Sequence, residues 1–262
     1  IGTIENLYED TANPTKITGT KCNGQTVDYD NEFNGDFLTY NLNLGWSYNT
    51  LNRPVFPTSG MSHRINGEIA LPGSDVEYQK LTYDAQAYFP LGKDFVLRGY
   101  GKLGYGNDLP FYKNFYAGGF GSVRGYDNST LGPKYDSVYA ENTGLENFDP
   151  EEVGGNALVQ FGTELALPLP FKGDWTRQVR PVLFAEGAQV FDTQCDVPTS
   201  EASKQYCKDN FGFELDNMRY SVGVGFTWIT MIGPLSLSYA YPLNDKDGDE
   251  TKNIQFEIGR TF

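Results

Sequence analysis

His63 is the only histidine in the chain, so any Ser-His-Asp triad or His-based metal site has to use it. It shares a phase with Met61 and Ile65 beside a Pro-rich turn, which predicts an interfacial residue rather than a general base. Glu164 and Glu186 are the carboxylates that could form a glycosidase-like pair. Glu164 falls on the polar phase of its segment, whereas Glu186 shares a phase with Val182 and Phe184. The run Asp245-Lys246-Asp247-Gly248-Asp249-Glu250 carries oxygen ligands of the calcium type but lacks EF-hand spacing, so it reads as a solvated hairpin tip. No phosphate-cradling loop and no zinc constellation can be found, so neither a metal nor a cofactor is expected. No catalytic residue is assigned, and the chain is not expected to be an enzyme.

Cys195 and Cys207 lie in one predicted loop and are expected to form a disulfide in an oxidising compartment, contributing roughly 2–3 kcal/mol. Cys22 is then left over, as a free thiol or the partner of a cysteine upstream. The net charge of -14 and a pI near 4.4 exclude nucleic acid as a partner. Much of the acid sits in predicted loops, at Glu146, Asp149, Glu151 and Glu152 and again over 245–250. That distribution reads as a solvated surface, with divalent-cation bridging to anionic lipid headgroups as the functional alternative.

The elements that would position these residues are strands. Leu38, Tyr40, Leu42, Leu44, Trp46 and Tyr48 alternate with Thr39, Asn41, Asn43, Gly45, Ser47 and Asn49, giving one apolar face and one small, polar face. The same alternation recurs over 61–71, 76–89, 95–106, 156–168, 179–191, 218–229, 235–241 and 253–262, with the polar set never becoming a core. Such a wall is apolar toward lipid and polar toward a wet lumen, as in a transmembrane β-barrel. The mean hydropathy of -0.47 excludes a helical membrane protein, and no run approaches the roughly 18 apolar residues of a spanning helix. Aromatics at 15% and the 30 glycines suit girdles and a Gly-rich wall. Tight connections at 90–94 and 230–234 fall on one rim, and long ones at 107–153, 192–217 and 244–252 on the other, which is the outer-membrane arrangement.

Nine strands are predicted, and residues 1–8 are the candidate for a poorly patterned tenth. A nine-strand sheet closed on itself would join its ends in parallel, so more strands are expected upstream. No signal peptide opens the chain and Ile1 stands in mid-pattern, so an excised piece of a longer precursor is expected. The stretch 107–153 has no strand alternation and is far longer than ordinary connections, which predicts a functional loop.

Within that loop stand Pro110-Phe111-Tyr112-Lys113-Asn114-Phe115-Tyr116-Ala117-Gly118-Gly119, then Ser122-Val123-Arg124-Gly125-Tyr126, then Leu131-Gly132-Pro133-Lys134. Together they resemble the loop of the BamA family of outer-membrane assembly and translocation barrels, with Tyr126 where the family signature has Phe. The turn over 52–60 is similar to the family's periplasmic turn, with Asn52 in place of Asp. Val153-Gly154-Gly155-Asn156-Ala157, Gly233-Pro234-Leu235 and the aromatic-terminated last strand also match, so the resemblance runs from about Asp36 to Phe262.

The resemblance implies an all-β fold: nine to ten strands of a larger, sixteen-stranded antiparallel transmembrane barrel, with residues 1–36 an extracellular loop segment. Residues 37–262 are then the C-terminal part of the barrel, and 107–153 folds into the lumen. It implies that Arg124, within Val123-Arg124-Gly125-Tyr126, contacts the wall carboxylates Glu164 and Glu186. Glu186 stands where the family has aspartate, and Ala185 where it has an aromatic. An arginine there would hold both carboxylates ionised, which argues against the glycosidase reading. Gly118, Gly119, Gly121 and Gly125 are expected to let the loop backbone approach the wall. Phe256, Ile258 and Phe262 resemble the C-terminal recognition signal of outer-membrane barrels, and edge pairing would give that signal a mechanism.

The implied function is the folding and insertion of β-barrel proteins in the outer membrane of a Gram-negative bacterium. The implied partners are client barrels, outer-membrane lipid and lipopolysaccharide, upstream periplasmic repeat domains and accessory lipoproteins. Without those domains the isolated chain is not expected to be assembly-competent. The alternatives are a secretion translocator, a passive porin and a barrel lipase or protease.

Overall fold

The computed structural model describes residues 4–9, 17–21, 26–28, 38–92, 94–133, 154–169, 173, 178–194, 212–231, 233–246 and 248–259. Cys22, Cys195, Cys207 and Phe262 lie outside the described residues.

β1 (Ile4–Glu9), β2 (Ile17–Lys21) and β3 (Thr26–Asp28) form a small antiparallel sheet of their own. Ile4–Glu9 pairs with Ile17–Lys21, so it does not supply the tenth wall strand that residues 1–8 were a candidate for. There follow β4 (Asn41–Asn49), β5 (Gly60–Ala70), β6 (Gln79–Pro90), β7 (Val96–Asn107), the short β8 (Gly125–Tyr126) and β9 (Ala157–Ala166). The chain continues through β10 (Val179–Phe191), β11 (Arg219–Thr230), β12 (Gly233–Pro242), the short β13 (Thr251–Lys252) and β14 (Ile254–Ile258). The wall is one nine-stranded sheet in the order β4-β5-β6-β7-β9-β10-β11-β12-β14, antiparallel throughout. Among the described residues no ladder joins β4 to β14, so the sheet has two edges.

Register carries the alternation across the wall. Trp46 lies opposite Ile65, Ile65 opposite Tyr83, Tyr83 opposite Leu103, and Leu103 opposite Val159. At the other end Leu183, Val224 and Tyr239 form one row, and Phe226, Leu237 and Phe256 the next. These side chains face away from the protein: Trp46 is 57% exposed, Val224 50% and Phe256 60%. A soluble sandwich would bury this set in a dry core. Here it forms the outer surface, which only an apolar solvent satisfies. His63 is on the same face, its Nδ1 2.8 Å from the Tyr83 hydroxyl and its ring stacked on Tyr83.

The inner phase departs from the expectation that the polar set never becomes a core. On β10 it reads Val182, Phe184, Glu186, Ala188 and Val190, all buried. Val190, Ala188 and Leu158 pack with Phe115, Ala117, Val123, Tyr126 and Leu131 of the long loop. A second cluster joins Tyr88, Val96, Ala166, Val182, Phe184 and Ala240. The lumen is filled on this side, and its wall is apolar where the loop covers it.

Candidate functional site

The loop leaves β7, makes a 3₁₀ turn at Phe111–Lys113 and runs beside its own return through bridges Phe115–Gly155 and Ala117–Leu131. Its tip folds back on itself: the Gly119 N–H is shared between the carbonyls of Val123 and Tyr126, both at 3.1 Å. Gly118 (φ +105°) and Gly119 (φ +79°) do not approach the wall as expected. A Cβ on Gly118 would sit 2.2 Å from the Asp127 carbonyl oxygen, and one on Gly119 1.8 Å from Asn128 Oδ1, so these glycines let the loop close on itself. Gly125 (φ +97°) does make the wall approach, since a Cβ there would lie 3.2 Å from Ala240 Cβ on β12. Gly121 meets the wall through its carbonyl, which accepts from Gln160 Nε2 at 2.9 Å.

This fold-back delivers Arg124, 1% exposed, onto the wall. Its main-chain N–H donates to Glu186 Oε2 at 2.8 Å, Nε to Glu186 Oε1 at 2.9 Å and Nη2 to the same oxygen at 2.5 Å. Nη2 also donates to Glu164 Oε1 at 2.7 Å. The guanidinium lies over the Phe184 ring, 3.5 Å from its centroid. Glu186 thus makes the contact that the departure from aspartate put at issue, while Ala185 falls on the outer face, opposite Val222.

The wall adds members that the sequence did not single out. Arg98 Nη1 donates to the other oxygen of Glu164 at 2.8 Å, and Tyr100 donates its hydroxyl to Glu186. Arg98 and Glu164 are directly opposed across β7 and β9, and Tyr100, Gly162 and Glu186 form the next row. Gly162 leaves the gap that Tyr100 crosses, since a Cβ there would stand 2.5 Å from the Tyr100 hydroxyl oxygen. Their polar phase on β7 was the available signal. Burial works against the charge on Arg124, but the two carboxylates outweigh it and raise its pKa, so it stays cationic. Both carboxylates accept from guanidinium groups, which leaves neither with an acid–base task.

Two further contacts pin the loop. Lys113 Nζ reaches Glu68 Oε1 on β5 at 2.6 Å, and that hydrogen bond holds the Lys113 pKa above its ordinary value. At the tip, β8 pairs with β13: Gly125 lies opposite Lys252 and Tyr126 opposite Thr251. Gln255 Nε2 donates to the Tyr126 carbonyl at 2.5 Å, and Asp127 N–H to the Glu250 carbonyl at 2.8 Å. The loop that fills the lumen is therefore laddered to the hairpin that carries β14. Phe256 and Ile258 point outward on that strand.

The model of the Omp85 superfamily domain matches residues 6–262. The chain belongs to the Omp85 superfamily.

Among relatives of this Omp85 chain, the outer membrane protein assembly factor BamA of Neisseria meningitidis is 37% identical over 91% of the chain, which covers 30% of that protein. The sorting and assembly machinery component 50 homolog of Mus musculus is 27% identical over 87% of the chain and 46% of its own length. The crystal structure of BamA from Haemophilus ducreyi lacking POTRA domains 1–3 superposes with a TM-score of 0.73 at 33% identity, over 91% of this chain and 44% of that one. The chain thus spans less than half the length of each, and its all-β fold is that of part of a BamA barrel.

The Omp85 turn over 52–60 shows why asparagine serves at its first position. Asn52 Oδ1 accepts from the N–H groups of Thr58 and Ser59 at 3.0 and 3.3 Å, while Nδ2 donates to Thr58 Oγ1 at 2.8 Å. A carboxylate could keep all three contacts only by accepting the Thr58 hydroxyl proton in place of the Nδ2 donation. In the tip loop 243–252, Asp249 pairs with Arg219 and accepts the Lys246 N–H, which ties it down as a hairpin tip. Among the described residues no group of three or more His, Cys, Asp or Glu is placed to hold a metal.

Proposed function

We propose that this chain is the C-terminal barrel portion of an outer-membrane assembly factor, which folds and inserts β-barrel proteins. It acts by lowering a kinetic barrier, with no bond made or broken. The observation that carries the reading is the clamp of Arg124 on Glu186 and Glu164, which fixes a loop inside a wall whose outer face is a continuous apolar belt. A passive pore would gain nothing from filling its lumen with a buried core. The 37% identity to the Neisseria BamA, above the 27% to the mouse relative, supports a Gram-negative outer membrane over a mitochondrial one.

The partners in this reading are client barrels, lipid and lipopolysaccharide around the belt, periplasmic repeat domains upstream of residue 1 and accessory lipoproteins. Among the described residues β14 pairs on one side only, with β12, and a strand edge of that kind can accept a client strand by β-augmentation. The test is reconstitution of the full-length protein in vesicles, with client folding followed by its heat-modifiable gel mobility. Accelerated insertion of a client barrel supports the reading. Transport of a client across the bilayer without insertion points to a translocator, and a large stable conductance without either activity to a porin.

A further inference from the structure

Residues 50–59 join β4 to β5 at the short-turn end, with twice the span of the 91–95 turn on the same rim. The extra length does not run out into solvent. Pro57 is buried, Phe56 is half-buried, and Leu51 packs on the inner-wall cluster that holds Tyr88, Val96, Ala166 and Val182. The turn thus leans across β6, β7 and β9 to β10, where Arg180 meets it.

Within itself the turn is a closed unit. Asn52 N–H donates to the Ser59 carbonyl at 3.2 Å, Arg53 Nη2 to Thr58 Oγ1 at 3.2 Å and, at the stem, Thr50 N–H to the Met61 carbonyl at 2.9 Å. Its hold on the far wall is narrower. Among the described residues, the hydrogen bonds that join it to strands other than its own two come from Arg180. Arg180 Nη2 donates to the Phe56 carbonyl at 3.3 Å and to the Pro57 carbonyl at 3.0 Å, and the guanidinium lies 4.9 Å from the Phe56 ring centroid. Phe56 holds φ +48°, a left-handed conformation that persists in a non-glycine residue only where its surroundings enforce it. One side chain therefore holds a self-contained, strained unit against the wall.

What lies beneath gives the cover a purpose. Phe56 and Pro57 roof a small cleft also lined by Arg98, Glu164 and Val182, and its volume of ≈ 20 Å³ has room for about one water molecule. Glu164 is the carboxylate shared by Arg98 and Arg124, so the cleft is the approach to the loop clamp from the short-turn end. The attraction within such an ion pair grows as water is excluded from it.

We propose that the 52–60 turn is a flap over the short-turn side of the clamp, latched shut by Arg180, and that its opening admits water to Arg98 and Glu164. The latch acts on main-chain carbonyls, so it depends on the fork of Arg180 rather than on the side chains of the turn. The inference is independent of the assembly function.

Thiol labelling of the full-length protein in detergent tests it. Val182→Cys puts a thiol of similar size under the flap, and Val190→Cys, in a separate protein, puts one on the same strand under the lumen loop. A water-soluble methanethiosulfonate is added, and peptide mass spectrometry reads modification at each position apart from the native cysteines. Arg180→Gln should speed labelling at position 182 about tenfold and leave position 190 unchanged, because it removes two charge-assisted hydrogen bonds that oppose local opening. Arg180→Lys, which keeps the charge without the fork, should fall between. If Arg180→Gln does not fold, Phe56→Ala removes the ring from both roof and latch and should speed labelling at position 182 in the same way. Labelling at position 182 that is already fast with Arg180 in place, that these variants leave unchanged, or that rises equally at position 190 overturns the proposal.

Discussion

Glu186 holds Arg124 by its backbone and its side chain at once, accepting the main-chain N–H at 2.8 Å and the Nε–H at 2.9 Å. One carboxylate thereby fixes the loop backbone at residue 124 and the rotamer of the side chain that it carries. Glu164 accepts from the same guanidinium at 2.7 Å and from Arg98 at 2.8 Å, so the loop is tied through β9 to β7 as well as to β10.

The outward belt makes a lipid-specific prediction. Val224→Arg should destabilise folding in lipid vesicles by about 2–4 kcal/mol if it sits near the bilayer midplane. Urea titration in vesicles measures this. An unchanged midpoint would mean that Val224 does not face lipid.

Gly125 should tolerate no side chain. At φ +97°, with a Cβ placed 3.2 Å from Ala240 Cβ, Gly125→Ala meets both backbone strain and β12, a cost of about 1–3 kcal/mol. Gly92→Ala, at φ +80° with open space around it, separates strain from crowding because it meets the first alone. The two variants should differ in unfolding midpoint, with Gly125→Ala the lower.

Strand number and facing were legible because a period of two survives any amount of solvent or lipid: all nine wall strands can be read from alternations such as 38–49 and 218–229. The clamp was legible in part. Arg124, Glu164 and Glu186 came from the family resemblance, and the polar phase of Glu164 agreed. Arg98 and Tyr100 were missed because their pairing with β9 depends on a register across some 45 loop residues, which alternation cannot count. The apolar inner phase of β10 looked like a weak strand because its cover is the loop rather than a neighbouring sheet. The glycine identity of 118 and 119 signalled a close backbone approach, but the approach is to Asp127 and Asn128 of the loop itself rather than to the wall. The ladder of β8 with β13 left no pattern at all, since two residues on each side are too few to show a period.

Lys252 approaches Asp127 at 3.2 Å beside that ladder, but both are solvent-accessible. Lys252→Ala should therefore cost about 0–1 kcal/mol, because water and salt screen such pairs. Amide exchange at Asp127 should remain slow in this variant, since the N–H bond to Glu250 is main chain to main chain. Fast exchange there would mean that the side-chain pair, and not the ladder, holds the loop tip.

Burial pushes the Tyr126 phenol up to about 12. Below pH 10 it is neutral in both folded and unfolded chains. Between about 10 and 12 the unfolded chain ionises it and the folded chain does not, so its contribution to stability fades as pH rises through that window. Phenolate absorbance of the folded protein minus that of Tyr126→Phe should show a midpoint near 12. A midpoint near 10 would place Tyr126 in solvent.

The clamp itself is tested most directly by a double-mutant cycle of Arg124→Ala and Glu186→Ala in the full-length protein, read by urea unfolding. Arg124→Ala leaves Glu186 buried without its cation and should cost about 3–5 kcal/mol, Glu186→Ala leaves Arg124 with Glu164 alone and should cost less, and the double variant should lose less than the sum. Arg124→Glu should be worse still and be partly restored by Glu186→Arg. If the two single losses add to within about 0.5 kcal/mol, Arg124 and Glu186 are not coupled and the loop is held in the lumen by something else.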